Sequence, residues 1–157
     1  MHTLKQSQFL PTTLEEAWAF IQAPANLDTI TPSWLRFEIL SEVPDVMDNG
    51  LIIEYRIGLP VIGRQKWVTE IKHIKPLCSF VDEQRLGPYR FWYHHHALKE
   101  VEGGVLMTDT VHYRLPFGPL GSLVHALVIR NTLKRIFEHR HRRFTELFDP
   151  PGQKTHT

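Results

Sequence analysis

The sequence predicts an α+β domain in which an antiparallel sheet packs against one long C-terminal helix. The middle of the chain consists of short segments in which apolar and polar residues alternate, as strands with one covered and one solvated face require. Turn signals rich in Gly, Pro, Asn and Asp separate these segments. Residues 119–148 then show the apolar spacing of a helix. Helices gathered on one face of an antiparallel sheet define the α+β class.

Length and composition indicate one globular domain. The chain has 157 residues, of which 42% are hydrophobic and 22% charged, so it can bury a sizeable core. We assign residues 1–148 to this single domain. Residues 149–157, DPPGQKTHT, are polar and contain Pro and Gly, so we expect them to form a flexible C-terminal tail.

Composition also narrows the functional classes. The formal net charge of +1 gives no global argument for binding nucleic acid, and we expect no such partner. No apolar run approaches the roughly 20 residues of a membrane span, so we expect no stable membrane insertion. The N-terminus has no signal-peptide core, and a single cysteine, Cys78, fits a reducing compartment. These features predict a soluble cytoplasmic protein.

The first elements are predicted to be a strand over residues 3–9 and two short helices. The first helix begins with one of two overlapping capping boxes, in which Thr and Glu side chains satisfy free backbone N–H groups: Thr12 with Glu15, or Thr13 with Glu16. One apolar face follows, made by Leu14, Ala17, Trp18 and Ile21. The second helical segment is expected over residues 25–30, before Pro32.

Six further strands complete the predicted sheet. Their alternating segments fall at residues 37–43, 51–57, 67–71, 80–84, 91–98 and 105–113. A strongly curved sheet wrapped around the long helix would bury the many aromatic residues of these strands. There are no internal repeats and no linker, which agrees with a single domain.

The apolar stripe of the predicted C-terminal helix is not straight. One side carries Leu120, Val124, Leu127 and Asn131, and a rotated side carries Leu133, Phe137, Phe144 and Phe148. Either the helix bends near Asn131, or its two halves cover different surfaces. A second stripe left exposed in the monomer would be the face of a homodimer.

The chain resembles the START and birch-pollen-allergen superfamily, also called SRPBCC, over nearly its whole length, and within it the small bacterial ligand-binding members. The matching segments are LDTITP at 27–32, the turn at Gly50 with Tyr55, Trp67, residues 80–96 (FVDEQRLGPYRFWYHHH), residues 103–119 (GGVLMTDTVHYRLPFGP) and IFEHRHRRF at 136–144. The resemblance implies the helix-grip fold, in which a curved seven-stranded antiparallel sheet grips the C-terminal helix around a hydrophobic cavity.

This superfamily includes lipid carriers, hormone binders, polyketide cyclases and ring-hydroxylating subunits, so the fold alone does not determine function. The chain lacks the Cys/His iron–sulfur spacing of the ring-hydroxylating branch, which we therefore set aside. We expect no cofactor.

Three consecutive histidines are the most unusual feature of the predicted strands. In an extended segment His94 and His96 face one way, and His95 faces the other. A two-residue turn within residues 102–104 places the first pair on the same face as Asp109. An Asp beside a His fixes its tautomer and raises its pKa, which makes these residues candidates for binding or for acid–base chemistry.

The length of that turn also decides whether a third histidine is available for a metal. A three-residue loop would align His94 with His112, and three histidines on neighbouring strands make a good zinc site. The two-residue turn that we expect offers Asp109 instead. Two histidines and one carboxylate can bind a metal, but hydrogen-bonded pocket histidines are the simpler interpretation, and we predict no metal site.

The expected ligand cavity is lined by side chains on the covered faces of the strands and closed by the helix. Its polar members would form a paired cluster on an otherwise apolar wall, because buried polar groups need partners. The predicted sheet lining is Tyr55, Trp67, Gln84, Trp92, His94, His96, Asp109 and Tyr113, and the predicted helix lining is Leu120, Val124 and Leu127.

We therefore interpret the chain as a binder of a small hydrophobic or aromatic metabolite, lipid-like or polyketide-like. The alternative is an enzyme of the cyclase or dehydratase type, in which His94 or His96 forms an acid–base pair with Asp109. A third interpretation is an interaction or stress module whose cavity is incidental. The chain has no nucleophile elbow, phosphate loop or strong metal motif, which favours binding over catalysis.

Overall fold

A single curved antiparallel sheet of seven strands forms the body of the protein in the computed structural model, which describes residues 1–60, 63–116, 118 and 128–149. The strands are β1 (His2–Leu10), β2 (Glu38–Ile39), β3 (Ile52–Leu59), β4 (Gly63–Lys75), β5 (Ser79–Leu86), β6 (Phe91–Val101) and β7 (Gly104–Arg114). Strands β2 to β7 pair with their neighbours in sequence, and β1 closes the other edge against β7. The predicted α+β helix-grip fold is confirmed.

Short helices follow β1, as predicted. Helix α1 (Leu14–Ile21) begins with the second of the two possible capping boxes: the Glu16 backbone N–H donates to Thr13 Oγ1 at 3.2 Å, and the Thr13 backbone N–H donates to Glu16 Oε2 at 3.3 Å. The expected second segment is a 3₁₀ turn at Pro24–Leu27, and another 3₁₀ turn follows at Ser33–Leu35.

The C-terminal helix α2 covers Arg130–Phe148 in the part of the chain that the structure describes. Leu133 and Phe137 are buried within one chain and Ile136 is half-buried, so the rotated stripe already has a covered surface and gives no reason to expect a homodimer face. The proposed N-terminal half of the helix, including Leu120, Val124 and Leu127, and the predicted tail from residue 150 onward lie outside the described residues. None of the described helices is long and apolar enough to cross a membrane.

Two hydrophobic cores lie between the sheet and α2. The first is centred on Phe80, Leu98, Met107 and Phe144 and also takes the apolar face of α1. The second is aromatic and contains Trp67, Tyr89, Trp92, Tyr113 and Phe137. Strands β6 and β7 and helix α2 contribute to both cores, so each of them passes from one core to the other. The residues at these crossing points determine what separates the cores.

Candidate functional site

Charged and ionisable side chains occupy the crossing points between the two cores. On β6, His96 and His94 lie between Leu98 of the first core and Trp92 of the second; on β7, Asp109 lies between core residues in the same way. Helix α2 adds a cation from the opposite side, and β5 adds a carboxylate. We call this group the central cluster, and it consists of Asp82, His94, His96, Asp109 and Arg140.

The strand register brings the central cluster together. Residues Val101 and Gly104 are paired, so β6 and β7 are joined by a two-residue turn in which Gly103 has a φ of 78°, a conformation that glycine adopts without strain. This register places His96 opposite Asp109, as the two-residue turn predicts, and pairs His94 with Asp82 on β5. The alternative three-residue loop is therefore not formed.

Each histidine ring lies between two carboxylates. The Nε2–H of His94 donates to Asp109 Oδ1 at 2.9 Å, and its Nδ1 lies 3.1 Å from Asp82 Oδ2. The Nε2–H of His96 donates to Asp82 Oδ2 at 2.8 Å, and its Nδ1 lies 2.8 Å from Asp109 Oδ1. The ring centroids are 3.7 Å apart, and both histidine side chains are 5% exposed. The four groups thus form a closed ring of buried polar contacts.

Arg140 and Trp92 complete the cluster. The Nη2 of Arg140 lies 3.8 Å from Asp109 Oδ1 and 3.4 Å from His96 Nδ1. The indole N–H of Trp92 donates to Asp82 Oδ1 at 3.3 Å. Two carboxylates therefore face one guanidinium, two imidazoles and one indole, which supplies every buried carboxylate with donors.

The charges of the cluster shift the pKa values of its members. Burial by itself would lower the pKa of His94, but the carboxylates of Asp82 and Asp109 outweigh it and raise that pKa. Burial would raise the pKa of both carboxyl groups, yet they stay below their usual range. For Asp82 the cause is His94 and His96, and for Asp109 it is Arg140 together with the histidines. The carboxylates therefore stay ionised at neutral pH, and protonation of the His94 ring is favoured.

Two cavities flank the central cluster. The first, which we call the apolar chamber, has a volume of about 70 Å³; its lining includes Phe20, Ile30, Met47, Ile53, Ile71, Phe80 and His96. The second, the aromatic chamber, has a volume of about 130 Å³; its lining includes Phe37, Trp67, Tyr89, Trp92, His94 and Phe137. Four residues border both chambers: Leu27, Tyr55, Asp82 and Arg140. The two cavities are thus neighbours across one polar wall.

Most of the predicted sheet lining lies at these chambers. Tyr55 borders both, Trp67, Trp92 and His94 line the aromatic chamber, and His96 lines the apolar chamber. Asp109 lies behind the histidines and borders neither chamber. It faces a small recess between β1 and α2 instead.

Two predicted residues have other surroundings. Tyr113 is packed inside the aromatic core and is 3% exposed. The Gln84 side chain donates from Nε2 to the Tyr89 carbonyl at 2.6 Å and accepts from the Tyr89 backbone N–H at 3.2 Å, so it holds the β5–β6 loop. Neither residue lines a chamber, because each is already used in packing or in a turn.

Sequence reasoning missed two members of the central cluster, Asp82 and Arg140, and it also missed Tyr89 of the aromatic chamber. Asp82 shares the strand face of Phe80, and this alternation could have identified it as a cavity residue. Arg140 lies three residues after Phe137 on the covered side of α2, a signal that the surrounding basic residues obscured.

Asp82, His94 and His96 also offer ligand atoms within 4.8 Å of one another, a spacing that a metal ion could bridge. His112 is not part of this group, since its Nδ1 contacts Thr3 Oγ1 at 2.9 Å on the other face. We predict that the purified protein carries no stoichiometric zinc or iron, because the ring nitrogens already meet carboxylates and Arg140 adds a positive charge. Elemental analysis that finds near-equimolar metal, lost in His94→Ala or His96→Ala, would overturn this prediction.

Comparison with known proteins gives a family and a fold. A family model described as a domain of unknown function, DUF8410, matches residues 60–148. No curated protein is significantly similar in sequence.

Solved structures share the fold over almost the whole chain. Protein CV1439 from Chromobacterium violaceum has 10% identity and a TM-score of 0.72, and the match covers 96% of this chain and 99% of that one. A START superfamily protein from Mycobacterium smegmatis has 12% identity, a TM-score of 0.63 and coverages of 94% and 99%. Ara h 8.0201 has 16% identity, a TM-score of 0.59 and coverages of 92% and 98%. These similarities confirm the START-like helix-grip fold.

Proposed function

The chain belongs to the DUF8410 family, and we propose that it binds a small hydrophobic or aromatic molecule between the sheet and the C-terminal helix. The observation that carries this proposal is that the apolar chamber and the aromatic chamber meet at the buried central cluster. Ligand pockets are typically apolar with a few well-placed polar groups. The chambers have this composition, with the polar groups concentrated on the wall that they share.

The aromatic chamber is suited to a flat ring system. Trp67 has ring centroids of three other aromatic residues within 6 Å: Tyr55 at 5.8 Å in a stacked arrangement, Tyr89 at 5.5 Å and Trp92 at 5.2 Å in edge arrangements. A ligand ring entering here could make the offset and edge contacts that aromatic pairs prefer.

The size of the chambers implies that binding needs some movement. Volumes of about 70 and 130 Å³ are below the roughly 300–1,000 Å³ of common ligand pockets. Leu27, on the 3₁₀ turn, and Tyr55, on β3, border both chambers, so a change of their side-chain rotamers would join the two spaces. We infer that the ligand occupies the joined cavity.

A fluorescent apolar probe tests the proposal. We expect saturable binding with low-micromolar or weaker affinity, and quenching of tryptophan emission because Trp67 and Trp92 line the aromatic chamber. Trp92→Ala should weaken binding, whereas Glu70→Ala on the outer face of β4 should not. Far-UV circular dichroism must show that Trp92→Ala remains folded, since such a truncation costs about 3–5 kcal/mol. Folded Trp92→Ala with unchanged probe affinity would contradict the proposal.

A second candidate is acid–base catalysis of the cyclase or dehydratase type. The observation that favours it is that His96 borders the apolar chamber and His94 the aromatic chamber, each hydrogen-bonded to a carboxylate. Such a histidine could move a proton to or from a bound carbonyl compound. We expect this candidate to be revealed by exchange of the α-protons of a bound methyl ketone in deuterated water, followed by NMR. If the wild-type protein exchanges these protons no faster than His96→Gln does, the result would argue against acid–base catalysis.

A further inference from the structure

Two buried N–H groups near the central cluster have no hydrogen-bond partner among the described residues: Trp67 Nε1 and Arg140 Nε. Buried donors are nearly always paired, because an unpaired one has lost its water without replacement. Trp67 as a whole is 4% exposed, so solvent cannot easily serve as its partner. These two donors therefore differ from the carboxylates and imidazoles of the central cluster, all of which have polar partners.

Both donors belong to side chains that line the aromatic chamber. The neighbours of Trp67 there are the rings of Tyr55, Tyr89 and Trp92, which offer π faces and edges to pack against. The Nη2 of Arg140 already faces Asp109 and His96, whereas its Nε is buried without a partner among the described residues. Both N–H groups are buried, so a ligand would reach them only after the side chains around the chamber move, and it would then meet one donor from the sheet and one from the helix.

The charges around Arg140 decide which kind of acceptor fits. Asp109 lies 3.8 Å from the guanidinium, and Asp82, like Arg140, borders both chambers. These two carboxylates carry two negative charges against the single positive charge of the arginine, before either histidine is counted. An anionic ligand group would have to enter a buried space beside Asp82, where like charges repel strongly. A neutral oxygen accepts a hydrogen bond without that penalty.

We propose that the chamber recognises an aromatic ketone or quinone, whose neutral carbonyl oxygens accept hydrogen bonds from Trp67 Nε1 and Arg140 Nε. This inference rests on the proposed function, because it assigns the chemical class of the molecule that the cavity holds. The π-rich wall selects the flat ring system, and the two unused donors select the carbonyl groups. A hydrocarbon of the same shape would leave both donors unpaired.

Three naphthalene probes of matched shape test the inference: acetylnaphthalene, ethylnaphthalene and naphthoate, each titrated by tryptophan quenching. We expect the ketone to bind about threefold to tenfold more tightly than the hydrocarbon, the usual range for one net hydrogen bond. Naphthoate should bind more weakly than the ketone at pH 7. The ratio of ketone to hydrocarbon affinity should fall toward one in Trp67→Phe, which keeps the ring and removes the N–H.

Matched variants separate recognition from general packing effects. Trp34→Phe removes the N–H of a partly exposed tryptophan, and Arg142→Lys alters an exposed arginine of the same helix as Arg140. Both should keep the wild-type ratio, whereas Arg140→Lys, which keeps the charge and removes Nε, should lower it. If Trp67→Phe fails to fold, the ratio of ketone to hydrocarbon affinity in the wild-type protein still tests the inference.

The possible results distinguish this inference from the proposed function. Equal affinity for ketone and hydrocarbon would overturn the inference and leave apolar binding intact. Preference for naphthoate would also overturn it and would assign an anion site to Arg140. No saturable binding of any of the three, nor of a larger apolar fluorophore, would count against the proposed function itself.

Discussion

Asp109→Asn is expected to lower the free energy of unfolding by about 3–5 kcal/mol, the usual cost of breaking a buried ion pair by removing one partner. The Asp109 side chain is 6% exposed, and its Oδ1 lies within 3.8 Å of nitrogen atoms of His94, His96 and Arg140. Asparagine has the same shape but no negative charge, so all three groups lose the carboxylate that they contact. Urea denaturation at pH 7 measures the difference. Glu138→Gln, on the exposed side of α2, is the control and should change stability by less than about 1 kcal/mol.

The pH dependence of stability gives a second measurement of the same cluster. The lowered pKa values of Asp82 and Asp109 provide stability that is present above their unfolded value near pH 4 and is lost as the pH falls through the folded values. The raised pKa of His94 provides stability that is full below about pH 6.5 and is lost as the pH rises through the folded value. The free energy of unfolding of the wild-type protein should therefore be greatest between about pH 4 and pH 6.5.

If the free energy of unfolding of Asp109→Asn stays within about 1 kcal/mol of wild type throughout this pH range, the account of the central cluster is contradicted.

Leu27→Trp is expected to reduce the affinity for an apolar fluorescent probe more than tenfold. Leu27 is half-buried on the 3₁₀ turn and borders both chambers, so an indole ring in its place would fill the space through which they join. Overpacking of this kind typically costs about 1–3 kcal/mol of stability. The fold should therefore survive, and circular dichroism can check it.

The matched control is Phe9→Trp, which adds the same indole at a residue that is 49% exposed on β1. It also corrects for the extra tryptophan in a quenching experiment. Unchanged probe affinity in a folded Leu27→Trp protein would mean that the probe binds elsewhere.

Much of the fold could be predicted from local patterns. Alternation on β6 predicts that His94 and His96 face the core and that His95 faces the other way. In the structure His94 and His96 are buried and His95 is half-buried. The Gly103 turn fixed the register with β7, because a two-residue hairpin requires a residue that tolerates positive φ. The family resemblance supplied what periodicity cannot, namely that the sheet curves around the C-terminal helix.

The composition of the site was harder to predict, because alternation assigns a face but not a position within the fold. Asp82 and Gln84 share a face of β5, yet Asp82 lies under the helix, whereas Gln84 lies near the strand end and holds the Tyr89 backbone. Arg140 lies in a run of basic residues, most of which are exposed. The Arg140 guanidinium lies 3.8 Å from the carboxylate of Asp109 on β7, a tertiary contact that no local pattern encodes.

The indole N–H signals of the four tryptophans in heteronuclear NMR spectra test the central claim most directly. During titration with acetylnaphthalene, we predict saturable shifts for Trp67 and Trp92, which line the aromatic chamber, and the same dissociation constant from both. The signal of Trp34, partly exposed and outside both chambers, should stay constant. Shifts confined to Trp34, or no saturable shift of Trp67 and Trp92, would contradict ligand binding in this cavity.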